Sequence, residues 1–562
     1  MRGWLFGASA VVFSACDPRS VDVDTDLVDT EVEDTDIVDT DVEDTDVVDT
    51  DVEDTDVVDT DVEPIDLDND GYLANVDCDD SNSSLHVWGP TGGTFDLHSQ
   101  AEIDAFCDSY VGVSCSGSLG DLEVVNTDAS NLDGLGCILE VDNLTIAGNS
   151  SLTEVNGLAA LTSVGGELNI ENNEALTNVD GLAALSSVGG NLIVNANPAL
   201  INVDGLAALT SVGGFLDVES NPALTNVDGL SALSSVGIDV VLRSNDALTN
   251  VAGFAALTSV GGFLYFDNND ALTNVDGLAA LTSVGTHLNF ENNQALTNVD
   301  GLSQLTSVNG NLHVFNCNAL TNLDGLAAIS SVSGNLNVIG NDALSNLDGL
   351  AAISSLGGDV TIRGNATLAE VDGLSELTSV GGDLYVEYNA ALTNVDGFAA
   401  LTSLGGDLYV NNNNTLTNVD GFASLNSLGG SLSIYLNNAR TNVSGFGGLS
   451  SLNGGLSVYY NNALTNVDGL AALTSIAGPL YIDFNPMLTN LDGLAALTTI
   501  DGDLTVDYNY ALTSVEGLEG VTYVGGDVTI AENTTLPSAA AQALIDAIGT
   551  IVGTVVVENN GP

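Results

Sequence analysis

Lysine is absent from the 562-residue chain, and arginine occurs only five times against 78 acids, for a formal net charge of −73. Binding to nucleic acid rests on neutralising phosphates with Lys and Arg, so that partner class is excluded. Electrostatic adsorption to an anionic membrane surface fails for the same reason. Beyond the N-terminus no run of 18 apolar residues occurs, which leaves no transmembrane helix to expect. Aromatic residues make up 5% of the chain, and no G-x-S-x-G, H-E-x-x-H, phosphate-loop or dinucleotide fingerprint is present. What is there is aliphatic: 44% of residues are hydrophobic and 62 are glycine. That is too hydrophobic for a disordered chain and too poor in bulk for one large globular core.

The bulk of the sequence is one repeat. Leu152, Leu176 and Leu200 begin a column that recurs every 24 residues to Leu536, broken only where Arg440 stands in its place. A fixed period of this size signifies a solenoid, in which each coil buries its apolar side against its neighbours. In the coil from Leu176 to Val194 the runs LTNV, LSSV and LIV read as three short strands separated by Asp-Gly and Gly-Gly turns. The expected fold is all-β: a parallel β-solenoid of about 17 coils. Seven aliphatics fill each layer (Leu176, Val179, Leu182, Leu185, Val188, Leu192 and Val194). A second column is Asn, from Asn149 through Asn173 and Asn197 to Asn533, with Cys317 at one place. Asn in one corner of every coil is expected to donate and accept along the stack and so satisfy turn backbone groups. Arg440 is expected to snorkel out of its apolar column.

The ends depart from the repeat. Ser99-Gln-Ala-Glu102 is a capping box opening a short helix with Ile103, Phe106, Cys107 and Tyr110 on one side. Leu119–Val125 then reads as the first strand. At the far end Pro537-Ser538 starts a helix running to Ile548, and Thr550–Val557 reads as the last strand.

The pattern L-T-x-[VL]-x-G-[LF]…L-x-S-[VL]-x-G-x-L-x-V-x-x-N over residues 94–562 resembles the receptor L-domain, the leucine-rich-repeat-like solenoid of insulin- and epidermal-growth-factor-type receptor ectodomains. Bacterial surface lipoproteins carry long versions of it. Cys78, Cys107, Cys115 and Cys137 allow two disulfides in three connectivities. The resemblance implies a staple between Cys107 and Cys115, which leaves Cys78 for Cys137.

Three segments precede the solenoid. Residues 1–15 read as a signal peptide, Met1-Arg2 followed by a short apolar run. Ser14-Ala15-Cys16 resembles the lipobox of bacterial lipoproteins, which implies that Cys16 carries the lipid. The resulting expectation is an exported protein, lipid-anchored to the cell envelope at the outer membrane or cell surface, touching membrane through that anchor alone. Residues 16–63 form a stalk, with 19 acids in the forty residues of 21–60 and no base among them; like charges this dense keep it extended. Residues 64–93 hold a calcium-loop pattern. Asp66, Asp68 and Asp70 converge at positions 1, 3 and 5, Tyr72 offers its carbonyl at position 7, and Asp77 closes the shell at position 12. The continuation through Asp77-Cys78-Asp79-Asp80 is similar to a metal-binding repeat of bacterial surface proteins related to a methanotroph copper-binding protein. Calcium in a structural role is the cofactor expected, ahead of copper.

A candidate ligand face lies in the C-terminal half. The outward position of the last strand and the two residues after it become aromatic at Tyr385, Tyr388, Tyr409, Tyr435, Tyr459, Tyr460, Tyr481, Phe484 and Tyr508. Exposed rings at strand spacing suit a glycan or a protein ligand, although Tyr also simply favours strands. The turn Asp of each coil is a turn feature, and neither Arg243 nor Arg363 has a singular carboxylate constellation in the sequence around it. No catalytic residue is therefore assigned. The function read from the sequence is a non-catalytic surface module for adhesion or ligand recognition. A purely structural envelope protein is the alternative. An ice-binding solenoid, suggested by Thr columns such as Thr177, Thr225 and Thr273, and a β-helix polysaccharide lyase or hydrolase stand behind it.

Overall fold

The computed structural model describes residues 94–107 and 119–562. Cys16, the stalk, Asp66, Asp68, Asp70, Tyr72, Asp77, Cys78, Tyr110 and Cys115 lie outside them.

Each 24-residue coil turns three times. In the coil that begins at Leu176, Asp180–Leu182 form a single 3-10 turn, Ser187–Val188 a two-residue strand and Leu192–Asn195 a four-residue strand. Stacking these coils produces a parallel sheet of twenty strands on one side and a ladder of two-residue strands on another. The seven aliphatics named above are all at most 1% exposed, so the interior is a continuous apolar column, mostly Leu and Val, bordered at one corner by the buried Asn. At about 4.8 Å per strand step, neighbouring layers are in direct van der Waals contact. The result is an all-β, leucine-rich parallel solenoid.

Two details differ from the sequence reading. The LTNV run is not a strand. It is an extended segment held coil to coil by single bonds such as Thr177 N–H to Thr153 O, 3.1 Å, and the coil therefore has two strands and a 3-10 turn. The Asp-Gly pair belongs to that turn. A Cβ on Gly181 would lie 1.9 Å from Val155 O, so the glycine is required by the approach of the preceding coil's backbone.

The Asn column does what its chemistry requires. Asn173 N–H donates to Asn197 Oδ1 (3.1 Å), and Asn173 Nδ2 donates to Ile146 O (2.8 Å) in the coil before. Repeated along the stack, this satisfies a fully buried corner. At Cys317 the arrangement weakens: its Sγ lies 3.8 Å from Phe290 O, the carbonyl an Asn would hold, and burial pushes the thiol up to about 12.

The caps close both ends. Helix α1 (Gln100–Phe106) is capped by Ser99, whose hydroxyl accepts from Glu102 N–H, while Glu102 returns to His98 N–H rather than to Ser99. The first strand is β1 (Thr94–Leu97), which pairs with β2 (Asp121–Val125); the segment Leu119–Val125 expected to come first is second. At the C-terminal end the helix covers Ser538–Ala547, and the expected last strand is split into Thr550–Ile551 and Val555–Glu558, one for each ladder.

The disulfide expectation is corrected. Cys107 pairs with Cys137, with Cα atoms 5.7 Å apart, which excludes both Cys107–Cys115 and Cys78–Cys137. The cause is cap packing: α1 presses onto the 3-10 turn Asp133–Leu135, so closely that a Cβ on Gly134 would overlap Ile103 O. That contact sets Cys107, just after the helix, beside Cys137, just after the turn.

Arg440 is also corrected. It does not snorkel; it is fully buried in the apolar column. Nε donates to Asn442 O at 2.6 Å, and Nη1 and Nη2 have no partner. Burial draws its pKa down to about 9, opposed by the charge of Asp420. The ladder of two-residue strands breaks at this coil, into thirteen strands ending at Ser427–Leu428 and five beginning at Ser451–Leu452. The coil-to-coil bond that joins Thr417 to Thr393 and Thr465 to Thr441 is missing between Thr441 and Thr417. The long sheet crosses the seam unbroken, Leu432–Tyr435 pairing with Leu456–Tyr459.

Candidate recognition surface

Immediately before each buried Asn, the chain takes a left-handed conformation to leave the long sheet. The residue there has φ between +52° and +70° in every coil where it is recorded. Asn and Gly tolerate that geometry, and they fill it at Asn172, Asn268, Asn292, Asn316, Gly340 and Gly364. Tyr388 places a ring in the same corner, Asn412 returns to the small polar residue, and from Leu436 to Tyr508 bulky side chains take the corner in four consecutive coils: Leu436, Tyr460, Phe484 and Tyr508. A non-glycine residue in this region costs about 1–2 kcal/mol, and the fold does not ask for bulk there.

The nine aromatic residues named from the sequence do not form one face; they fall into three columns. In the outward strand position, Tyr385 and Tyr409 stack with ring centroids 4.9 Å apart. Their hydroxyls donate within their own coils, to Asp383 Oδ2 (2.7 Å) and Asp407 Oδ2 (2.8 Å). Burial, then that bond to the carboxylate, raises each phenol. Tyr481 shares this position three coils beyond Tyr409, with Ser433 and Ser457 between them, and has no stacked neighbour in it. One residue after the strand's inner aliphatic, Tyr435 and Tyr459 stack at 4.5 Å. In the left-handed corner, Tyr460, Phe484 and Tyr508 form a continuous stack at 4.5 and 4.3 Å. Tyr459 meets Tyr460 edge-on at 5.8 Å, so the two columns join into one ridge. Tyr388 stands alone in the corner, 49% exposed, with the Arg363 guanidinium 5.1 Å from its ring centroid.

The sequence reading missed Tyr510, which caps the end of the stack edge-on to Tyr508 at 6.4 Å and is 46% exposed. Its position two residues beyond the corner, usually polar, hid it. It also missed the corner itself, although the enrichment of Asn and Gly one residue before the Asn column is a left-handed signal.

Carboxylates flank the ridge. Asp483 precedes Phe484 and Asp507 precedes Tyr508. Burial, then the charge of Asp507, pushes Asp483 up to about 7; burial pushes Asp507 up to about 6, with Glu532 and Glu558 adding to it against a bond from Tyr508 N–H. From Tyr388 onward the chain's single base is the buried Arg440.

A second polar cluster corrects another sequence reading. Arg243, expected to lack a carboxylate constellation, sits 3.2 Å from Asp267 and 4.0 Å from Glu219 on the neighbouring coils. The Tyr265 hydroxyl donates to Glu291 at 3.1 Å, and Asn292 Nδ2 to Asp267 Oδ1 at 3.0 Å. These partners are 24 to 26 residues apart in sequence and become neighbours only through the stack. The guanidinium is held between two carboxylates, which makes it a rung of the ladder. The turn carboxylates, such as Asp180 and Asp204, are exposed and recur in most coils, with Asn156, Ala252 and Ser444 in their place elsewhere. The Thr columns are tied down: Thr177 and Thr273 hydroxyls donate to Thr153 O and Thr249 O, both at 3.2 Å.

Among the described residues, no group of three or more His, Cys, Asp or Glu is placed to hold a metal ion, and no helix is long and apolar enough to cross a membrane. No family model and no curated protein matches the sequence. Solved structures to which the chain is similar include an internalin (inlF) from Listeria monocytogenes, at 17% identity over 68% of this chain and 86% of that one, with a TM-score of 0.30. Another is a TLR13–ssRNA13 complex, at 14% identity over 78% and 92%, with a TM-score of 0.22. Likeness at this level places the chain in neither family.

Proposed function

We propose that the protein is a non-catalytic recognition or adhesion module displayed at the bacterial cell surface, and that the aromatic ridge from Tyr435 to Tyr510 is its contact surface. The observation that carries this reading is the aromatic occupation of strained corners. The left-handed corner recurs along the whole solenoid, so what marks these coils is the exposed ring that stands where other coils carry a small or polar side chain. On this reading a lipid on Cys16 holds the chain to the envelope, the acidic stalk carries the solenoid, and Asp66, Asp68, Asp70, Tyr72 and Asp77 bind a calcium ion.

The test is binding of the purified full chain to whole bacterial and host cells. Tyr460→Asn, Phe484→Asn and Tyr508→Asn together place in three corners the residue that other coils already carry. The module reading predicts that binding falls at least tenfold while the thermal unfolding curve stays that of a folded protein; unchanged binding would sink it. Anchoring is checked separately, since Cys16→Ser should abolish labelling by radioactive palmitate. Calcium is checked by a millimolar titration, which should raise the melting temperature of the parent and not of Asp68→Asn.

A purely structural envelope role is the second reading. It is favoured by Tyr385 and Tyr409, whose hydroxyls are satisfied within the sheet, and it predicts that none of these substitutions alters binding.

A further inference from the structure

The stacked rings limit what the ridge can hold. Aromatic recognition of sugars uses the open face of a ring, against which C–H groups lie. In the corner column the faces are consumed: interplanar angles of 16° and 10° at 4.5 and 4.3 Å leave no space between Tyr460, Phe484 and Tyr508. Tyr435 and Tyr459 cover one another in the same way, at 6°. Tyr388, the isolated ring, has Arg363 over it. In these columns what remains open is a row of ring edges and phenol tips, which suits insertion between the side chains of another polypeptide and not the stacking of a pyranose. Tyr-rich ridges with hydroxyl tips supply apolar contact area and polar bonds together, at low conformational cost.

The charge beside the ridge selects among polypeptides. Asp483, Asp507, Glu532 and Glu558 lie along it without a salt-bridge partner among the described residues, and Asp483 Oδ1 is buried with no hydrogen-bond donor. No exposed base lies on the coils from Tyr388 to the end. Burying these carboxylates against a neutral or acidic partner would leave them unpaired, whereas a lysine or arginine would pair them as the ring edges pack.

We infer that the ridge docks an extended polypeptide bearing alternating basic and apolar side chains, laid along it from Tyr435 to Tyr508. This rests on the recognition reading above and names its partner. From the coil of Tyr435 to that of Tyr508 is three coil steps, about 14 Å, which is about four residues of extended chain.

The experiment uses the full chain and a fluorescein-labelled (Lys-Leu)5 peptide, followed by anisotropy, with (Glu-Leu)5, cellohexaose and chitohexaose as comparisons. The expected result is saturable binding of (Lys-Leu)5 only. Affinity should fall at least tenfold in the Tyr460→Asn, Phe484→Asn, Tyr508→Asn variant. A similar fall is expected in Asp483→Asn, Asp507→Asn. The pair Asp180→Asn, Asp204→Asn removes the same charge from distant turns and should change affinity less than twofold. Equal loss in that distant pair, or none in the ridge variant, would mean diffuse attraction to an acidic protein and would overturn the proposal. Ridge-dependent binding of a hexasaccharide without (Lys-Leu)5 would overturn the partner and leave the recognition reading standing. Loss of cell binding in the ridge variant with no binding of (Lys-Leu)5 would separate the two in the same way. Circular dichroism and the melting curve confirm that each variant is folded.

Discussion

The same left-handed corner runs through both halves of the solenoid, and the two halves use it in opposite ways. Around Asn172, Ala196, Ser220 and Ser244 the corner is small, and with Pro198 and Pro222 it leaves a shallow groove of about 610 Å³. Around Tyr388, Tyr460, Phe484 and Tyr508 it carries rings and stands out as a ridge. The backbone is indifferent to this, with φ between 52° and 57° at all eight positions, and the Asn ladder runs beneath both. A scaffold that makes the same demand everywhere does not choose Tyr in one half and Ser in the other. The difference therefore belongs to the surface and its use, while the repeat belongs to folding. Within the aromatic half, between Tyr435 and Tyr459, lies the seam at Arg440, where one of the two ladders is interrupted.

The comparison can be broken most strongly at the seam. Arg440→Leu restores the apolar column and removes two unpartnered guanidinium nitrogens, and should raise the unfolding free energy by about 2–4 kcal/mol. Hydrogen exchange should then slow at Thr441 and Ser450; a destabilised variant would mean that Arg440 is paired in solution. Next in size, Ala196→Tyr, Ser220→Tyr and Ser244→Tyr together transplant the ridge into the groove. Ala196, Ser220 and Ser244 already carry the left-handed Cβ strain, so what the change adds is stacking of about 0.5–1.5 kcal/mol per pair, which predicts a net gain of about 1–3 kcal/mol in urea unfolding. No gain would mean that rings do not stack on these coils.

Cys317→Asn completes the corner ladder and should add about 1 kcal/mol, with no change at the ridge. The smallest effect is a pH dependence. Asp483 and Asp507 have raised folded pKa values, so the folded state holds protons that the unfolded state has released between about pH 4 and 7. Their contribution to stability is greatest below that window and is lost as pH rises through it. Asp483→Asn should raise the melting temperature at pH 8 and leave it unchanged at pH 4; a gain of equal size at both would contradict the assignment to burial.

Much of this was legible in the sequence because a strict 24-residue period makes every column visible. Leu176, Val179 and Asn173 could be placed in the interior without knowing how the coil bends. The bends were harder to read. Asp180–Leu182 is one 3-10 turn, too short for any periodicity to distinguish from a loop, and LTNV has strand composition but meets its neighbours through single bonds. The Cys107–Cys137 bond depends on how a cap helix packs on the first turn, which residue spacing does not encode. Arg440 was expected to reach solvent because long basic side chains usually do, but its column faces the interior on every side. At the recognition surface, the aromatic positions were visible and their division into three columns was not. It depends on Tyr388, Tyr460, Phe484 and Tyr508 sitting in the corner while Tyr385 and Tyr409 sit in the strand.

The most direct test of this division between scaffold and surface is oxidative footprinting of tyrosines in the full chain, free and bound to the cells that retain it. The account predicts protection of Tyr460, Tyr508 and Tyr510 on binding, with Tyr265 and Tyr523 unchanged. Protection spread evenly over all of them, or confined to the coils of the groove, would contradict it.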